Sequence, residues 1–116
     1  MALVIRVQRQ RTKGYRLPPG SVYVGRPSRW GNPYHIERYP RLRRWLVVRR
    51  DTRSGLGSFA SESEAVYWAA KGFGLVIPDE PDRAAWLQPL RGATALACWC
   101  PLTSPCHADV LIELLS

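Results

Sequence analysis

Ten residues, Cys98-Trp99-Cys100-Pro101-Leu102-Thr103-Ser104-Pro105-Cys106-His107, hold all three cysteines of the chain and one of its two histidines. Strand-like Ala95, Leu96 and Ala97 lead into them, and Val110, Leu111, Leu114 and Leu115 follow at helical spacing. A strand, a proline-bearing loop and a helix start in that order point to an α/β fold. In such folds, chemistry gathers where a strand hands over to a helix.

The 116 residues suit one domain with a modest core, and a hydrophobic share of 46% argues against disorder. Lys and Arg number 17 against 9 Asp and Glu, a formal charge of +8, and most of the cations are Arg. Guanidinium groups match phosphate oxygens, so nucleic acid or nucleotides are natural partners; a basic surface serving solubility alone is the competing explanation. No apolar run is long enough to cross a bilayer, and the first residues lack a signal-peptide layout. A cytoplasmic location is expected, or the host cytoplasm for a phage-encoded protein. The cysteines are then expected as thiols or metal ligands rather than disulfides.

Read in order, Leu3 to Val7 and Ser21 to Val24 are expected strands, separated by a basic loop ending in Leu17-Pro18-Pro19-Gly20. Residues 35–44 are polar and basic and carry no clear element; His35 reads as a surface or loop histidine. Trp45 to Arg50 and Leu56 to Ala60 flank the turn residues Asp51-Thr52-Arg53-Ser54-Gly55 and predict a hairpin. This arm, about residues 38–60, is rich in arginine and could meet nucleic acid or simply be solvated. Ser61 with Glu64 forms a capping box for a helix reaching Lys71, in which Ala65, Tyr67, Trp68 and Ala69 supply apolar mass. A shorter helix is expected from Pro81 to Leu90. The expected architecture is a single small α/β domain: a mixed sheet, flanking helices and a β-hairpin insertion.

The segment Gly25-Arg26-Pro27-Ser28-Arg29-Trp30-Gly31-Asn32-Pro33-Tyr34 must be a loop, given its two Gly, two Pro and an Asn. Glycines after a strand let backbone N–H groups approach an anion, and Arg26 and Arg29 add charge-assisted hydrogen bonds. Gly25, Arg26, Ser28, Arg29 and Asn32 are therefore candidates for holding phosphate or sugar, and Trp30 for stacking on a base. A rigid loop that caps the core with Trp30 and Tyr34 is the plainer alternative. The spacing is not that of a P-loop.

The cysteine stretch admits three chemistries. Cys98, Cys100, Cys106 and His107 match a known zinc ligand set, although adjacent Cys106 and His107 do not easily share one ion. Without metal, Cys106 at a helix N-terminus could be a thiolate, with His107 for acid–base work and Asp109 orienting it or capping the helix. Cys98 and Cys100 could also be small buried apolar residues on a core strand.

The two segments together resemble a small, uncharacterised bacterial and phage domain of unknown function. The shared pattern is Gly-Arg-x-Ser-x-Trp-Gly-Asn-Pro-aromatic at 25–34, then Leu90-Arg91-Gly92, a short strand, Cys98-Trp99-Cys100 and Cys106-His107-Ala108-Asp109-Val110-Leu111. The resemblance spans about Val4 to Leu115, departs mainly in a longer arm at 38–60, and implies that the two motifs belong together. The first strand and Gly-Arg-Pro-Ser loop are also similar to nucleoside deoxyribosyltransferase-like folds, at fold level only. Two functions are expected to compete. One is a pocket for a nucleotide or nucleic-acid component, with N-glycosidic or transfer chemistry carried by Cys106, His107 and Asp109. The other is a zinc-stabilised module that binds nucleic acid or protein, including a host protein blocked by a phage.

Overall fold

The computed structural model describes residues 4–116. Six strands form two three-stranded sheets. In the first, β1 (Ile5–Gln8) and β2 (Ser21–Tyr23) both run parallel to β6 (Ala95–Cys98), which lies between them. All four β6 residues are buried, as the middle strand of a covered parallel sheet requires, and the Ala-Leu-Ala-Cys run suits that position. The part of the first expected strand that includes Leu3 lies outside the described residues.

The second sheet is antiparallel: β3 (Tyr34–Tyr39), β4 (Arg44–Arg49) and β5 (Gly55–Phe59). Strands β4 and β5 form the expected hairpin. Strand β3 occupies the segment for which the sequence suggested no element. Its period-2 signal is there, with Tyr34 and Ile36 facing the second core, but charged residues on the other face obscure it. Those charges find partners once the strands pair. Arg53 reaches both carboxylate oxygens of Glu37 at 2.8 and 3.1 Å, and His35 Nε2 lies 2.7 Å from Oε2.

Helix α1 (Glu62–Gly72) starts at Ser61, whose hydroxyl accepts from the Glu64 N–H and donates to its carboxylate. Its inward face is Ala65, Ala69, Ala70 and Gly72, whereas Tyr67 and Trp68 are 42% and 46% exposed. Of the residues supplying the helix's apolar mass, the two aromatics therefore lie outside, Trp68 stacked on Phe59. Small residues face inward because the helix lies close on the antiparallel sheet; a side chain on Gly72 would strike Leu56 and press on Tyr34. Helix α2 (Asp82–Leu87) and a 3-10 turn over Gln88–Leu90 occupy the predicted 81–90 span, and α3 (His107–Leu115) follows the cysteine stretch.

The main core joins Val24, Trp30, Phe73, Leu87, Leu90, Leu96, Cys98, Cys106, Ala108 and Leu111. A second cluster under the antiparallel sheet comprises Tyr34, Val47, Ala65 and Ala69. Helix α1 contacts all three antiparallel strands and also α3, so it bridges the two sheets.

The hydrogen bonds from Arg53 and His35 hold the Glu37 carboxyl down at about 2, from an ordinary value of 4.5. A carboxylate with a depressed folded pKa contributes stability that is complete above about 4.5 and is lost as the pH falls toward about 2. The acid limb of a denaturation-midpoint profile should therefore flatten over that window in Glu37→Gln, with the profile above it only offset.

Candidate functional site

The parallel sheet places three strand ends side by side, and ligands in open α/β sheets bind outside the carboxyl ends of the strands. Strand β2 runs out into the 25–34 loop and β6 into Trp99 and Cys100. The space between these exits is a cavity of about 400 Å³. One wall is Tyr23, Gly25, Arg26 and Asn32, and the other is Cys98, Trp99, Cys100, Cys106 and His107. Strand β3 adds His35 and the turn just after β4 adds Arg50, and α1 closes the remaining side with Ala69 and Ala70. The two sequence motifs thus share one cavity.

Local interactions fix the first wall. Tyr23 folds back so that its hydroxyl donates to the Arg26 carbonyl at 2.7 Å, with its ring over Gly25, where a Cβ would collide with it. Asn32 donates to the Ala69 carbonyl at 2.8 Å and accepts from the Tyr34 N–H at 3.1 Å, pinning the loop to α1. Trp30 is buried in the main core, its indole N–H donating to the Trp86 carbonyl at 2.9 Å, and it does not line the cavity. The exposed aromatic at the cavity is Trp99. Ser28 and Arg29 also lie outside the lining; Ser28 shapes the turn through backbone bonds to Gly25 and Gly31, and Arg29 covers the Trp30 ring. Of the residues expected to hold a ligand, Gly25, Arg26 and Asn32 line the cavity.

The second wall depends on Arg6, which sequence reading left in the first strand without a role. Its guanidinium, 9% exposed, donates to the carbonyls of Leu102 at 2.7 Å and Pro101 at 3.2 Å and pairs with Asp109 at 3.0 Å. Asp109 also accepts from the Cys106 N–H at 3.3 Å, capping α3. Its carboxylate is thus engaged away from His107 and does not line this cavity. His107 is buried; its Nε2–H donates to the Val24 carbonyl at 2.8 Å, and its ring stands edge-on to Phe73. The tautomer follows, since a carbonyl accepts only, and Nδ1 is left with its lone pair 3.6 Å from Cys106 Sγ. Burial lowers the His107 pKa, which keeps the ring neutral.

The three sulfurs converge although β6 ends at Cys98. They lie within 4.8 Å of one another, with Cys98 and Cys106 Sγ 3.1 Å apart, and all three are free thiols. Cys98 and Cys106 are buried, while Cys100 is partly exposed. Bonds from Cys106 and then Cys98 favour the Cys100 thiolate, which Arg6 also stabilises, and the bonds with Cys100 and then Cys98 push the Cys106 thiol up. Three close cysteines can hold a metal ion.

Among the described residues, Arg26 and Arg50 are the arginines that line the cavity, and no Asp or Glu lines it. Burial, then the neighbouring Arg50 charge, lowers the Arg26 pKa. At the mouth, Arg9 sits over the rings of Tyr23 and Trp99, and Arg11 over Trp99. Tyr23, Arg50 and Trp99 were absent from the sequence-derived set. Trp99 alternates with two cysteines at a strand end, a usable signal; nothing local marks Arg50, which arrives through strand pairing.

The fold and site define a small α/β domain with a thiol- and arginine-lined cleft at the ends of a parallel sheet. Residues 7–116 match the family described as "Domain of unknown function (DUF4326)", and the chain belongs to that family. No curated protein and no solved structure gives a significant match.

Removing the Trp30 N–H leaves the Trp86 carbonyl without its donor. Trp30→Phe should lower stability by about 1 kcal/mol, read as a shift of the urea midpoint at unchanged slope.

Proposed function

We propose that the cleft binds a phosphate-bearing nucleotide or nucleic-acid component. The observation that carries this is the meeting of both motif loops at one cavity where Arg26 and Arg50 have no acidic partner in the lining. Arg26 and Arg50 repel each other, the Cys100 thiolate only partly offsets their charge, and an anion between them relieves that repulsion. Trp99, exposed at the cavity, is the surface on which a base would stack, with Gly25 allowing close backbone approach. The volume suits a small ligand. The cations Arg9 and Arg11 at the mouth extend the positive field outward and would draw phosphate in.

Titration calorimetry with AMP, dAMP, adenosine and inorganic phosphate tests this. The phosphate-bearing members should bind more tightly than adenosine, and Arg26→Ala and Arg50→Ala should each weaken them about tenfold or more. No heat from any member, or equal affinity for AMP and adenosine, would count decisively against phosphate recognition.

Zinc on Cys98, Cys100 and Cys106 is a second proposal, favoured by the mutual distances of the three sulfurs. The ion would cross-link the end of β6 to the start of α3 and so stabilise both cavity walls. Purified protein should then carry about one zinc per chain by elemental analysis, and a chelator should lower its melting temperature. Metal-free protein with an unchanged melting point after zinc addition would exclude it.

A further inference from the structure

We propose that an ion on the three thiolates keeps its fourth coordination position open to the cleft, where an anionic phosphate oxygen binds it. This rests on the zinc proposal above and joins it to the phosphate-binding one. A tetrahedral zinc with bonds of about 2.3 Å separates its sulfurs by about 3.8 Å. Small side-chain adjustments bring Cys98, Cys100 and Cys106 to that spacing from mutual distances within 4.8 Å.

A closed structural site would need a fourth protein ligand, and the neighbouring donors are engaged elsewhere or are not within 4.8 Å of all three sulfurs. His107 is the nearest. Its Nε2–H is fixed on the Val24 carbonyl and its ring is held against Phe73. Its Nδ1 is 3.6 Å from Cys106 Sγ but does not fall within 4.8 Å of all three sulfurs. A tetrahedral ion would require about 3.6 Å to each of them. Asp109 is occupied by Arg6 and the Cys106 N–H. His35 reaches the cavity with its Nε2 bonded to Glu37, and its unpartnered Nδ1 does not lie within 4.8 Å of all three sulfurs.

The remaining direction is the cavity, which all three cysteines line. Three protein ligands and one exchangeable position is the pattern of zinc sites that bind ligands, as opposed to closed structural ones. Three thiolates outweigh the dication by one negative charge, which by itself discourages an anion. Arg26 and Arg50 in the same cavity reverse that local balance and supply hydrogen bonds to the remaining phosphate oxygens.

Cobalt(II) substitution of the full chain reads the coordination directly, because the visible bands of a thiolate-bound cobalt ion change with the fourth ligand. Cobalt content is measured first, on the same samples. About one cobalt per chain is expected, with tetrahedral bands that shift saturably on adding inorganic phosphate or AMP and stay put with adenosine. A shift with both anions makes any phosphate group a sufficient ligand. A shift with AMP alone supports the open position with the nucleotide as source of the oxygen. Arg26→Ala should move the phosphate midpoint about tenfold higher. His107→Gln, which retains an N–H donor for the Val24 carbonyl, should leave the anion-free spectrum unchanged. Bound cobalt whose bands ignore both anions would overturn the open position and leave the metal in place. A change of the anion-free spectrum in His107→Gln would assign the fourth position to the imidazole. Absence of cobalt uptake would reject the metal itself, and with it this inference.

Discussion

The hydrogen bond from His107 Nε2–H to the Val24 carbonyl, 2.8 Å long, is the contact on which the arrangement of the site depends. It ties the first turn of α3 to the exit of β2, residues 83 apart in sequence. Both ends are buried, so the bond is made in a low-dielectric setting where an unpaired carbonyl would be costly. It fixes the ring in one tautomer, while burial keeps it neutral, and it makes the two motif loops face each other across a cavity. The imidazole is thus an architectural element of a site whose exposed chemistry lies with sulfur and guanidinium.

Arg6 does for the second wall what His107 does for the first. A nearly buried guanidinium on an outer strand of the parallel sheet collects two loop carbonyls and the carboxylate that caps α3. Five N–H donors in a rigid fork suit that task, and a lysine could not span the same three acceptors. With the loop held from behind, Cys100 and Cys106 are presented beside Cys98. Positive charge is thereby divided by role: Arg6 shapes the site, Arg44 and Arg53 are spent within the antiparallel sheet, and Arg26 and Arg50 face the cavity.

Much of this was legible in the order of residues. The hairpin, the capping box at Ser61, the buried strand into Cys98 and the helix after Cys106 follow from local periodicity and turn chemistry, and they formed as expected. Strand β3 was hidden because His35, Glu37 and Arg38 look like a solvated stretch until Glu37 pairs with His35 and Arg53 and Arg38 lies over Trp45. The apolar mass of α1 in Ala65, Tyr67, Trp68 and Ala69 does not by itself say which of them face inward. In the fold, the close approach of α1 to the antiparallel sheet selects Ala65, Ala69 and Gly72 for that face. Trp30 was weighed for stacking because it stands in a polar loop, but a core bond to the Trp86 carbonyl holds it inside.

The sequence by itself singled out the 25–34 loop and the 98–107 stretch, since Gly, Pro, Arg, Cys and His cluster there for no regular element's benefit. It also determined the α/β class, through period-2 and helical spacing. Only tertiary structure decided which of those side chains meet. Parallel pairing of β1 and β2 on either side of β6 sets the strand exits side by side, and contacts between residues distant in sequence leave no local trace. The cavity-lining set therefore exchanged Ser28, Arg29 and Trp30 for Tyr23, Arg50 and Trp99.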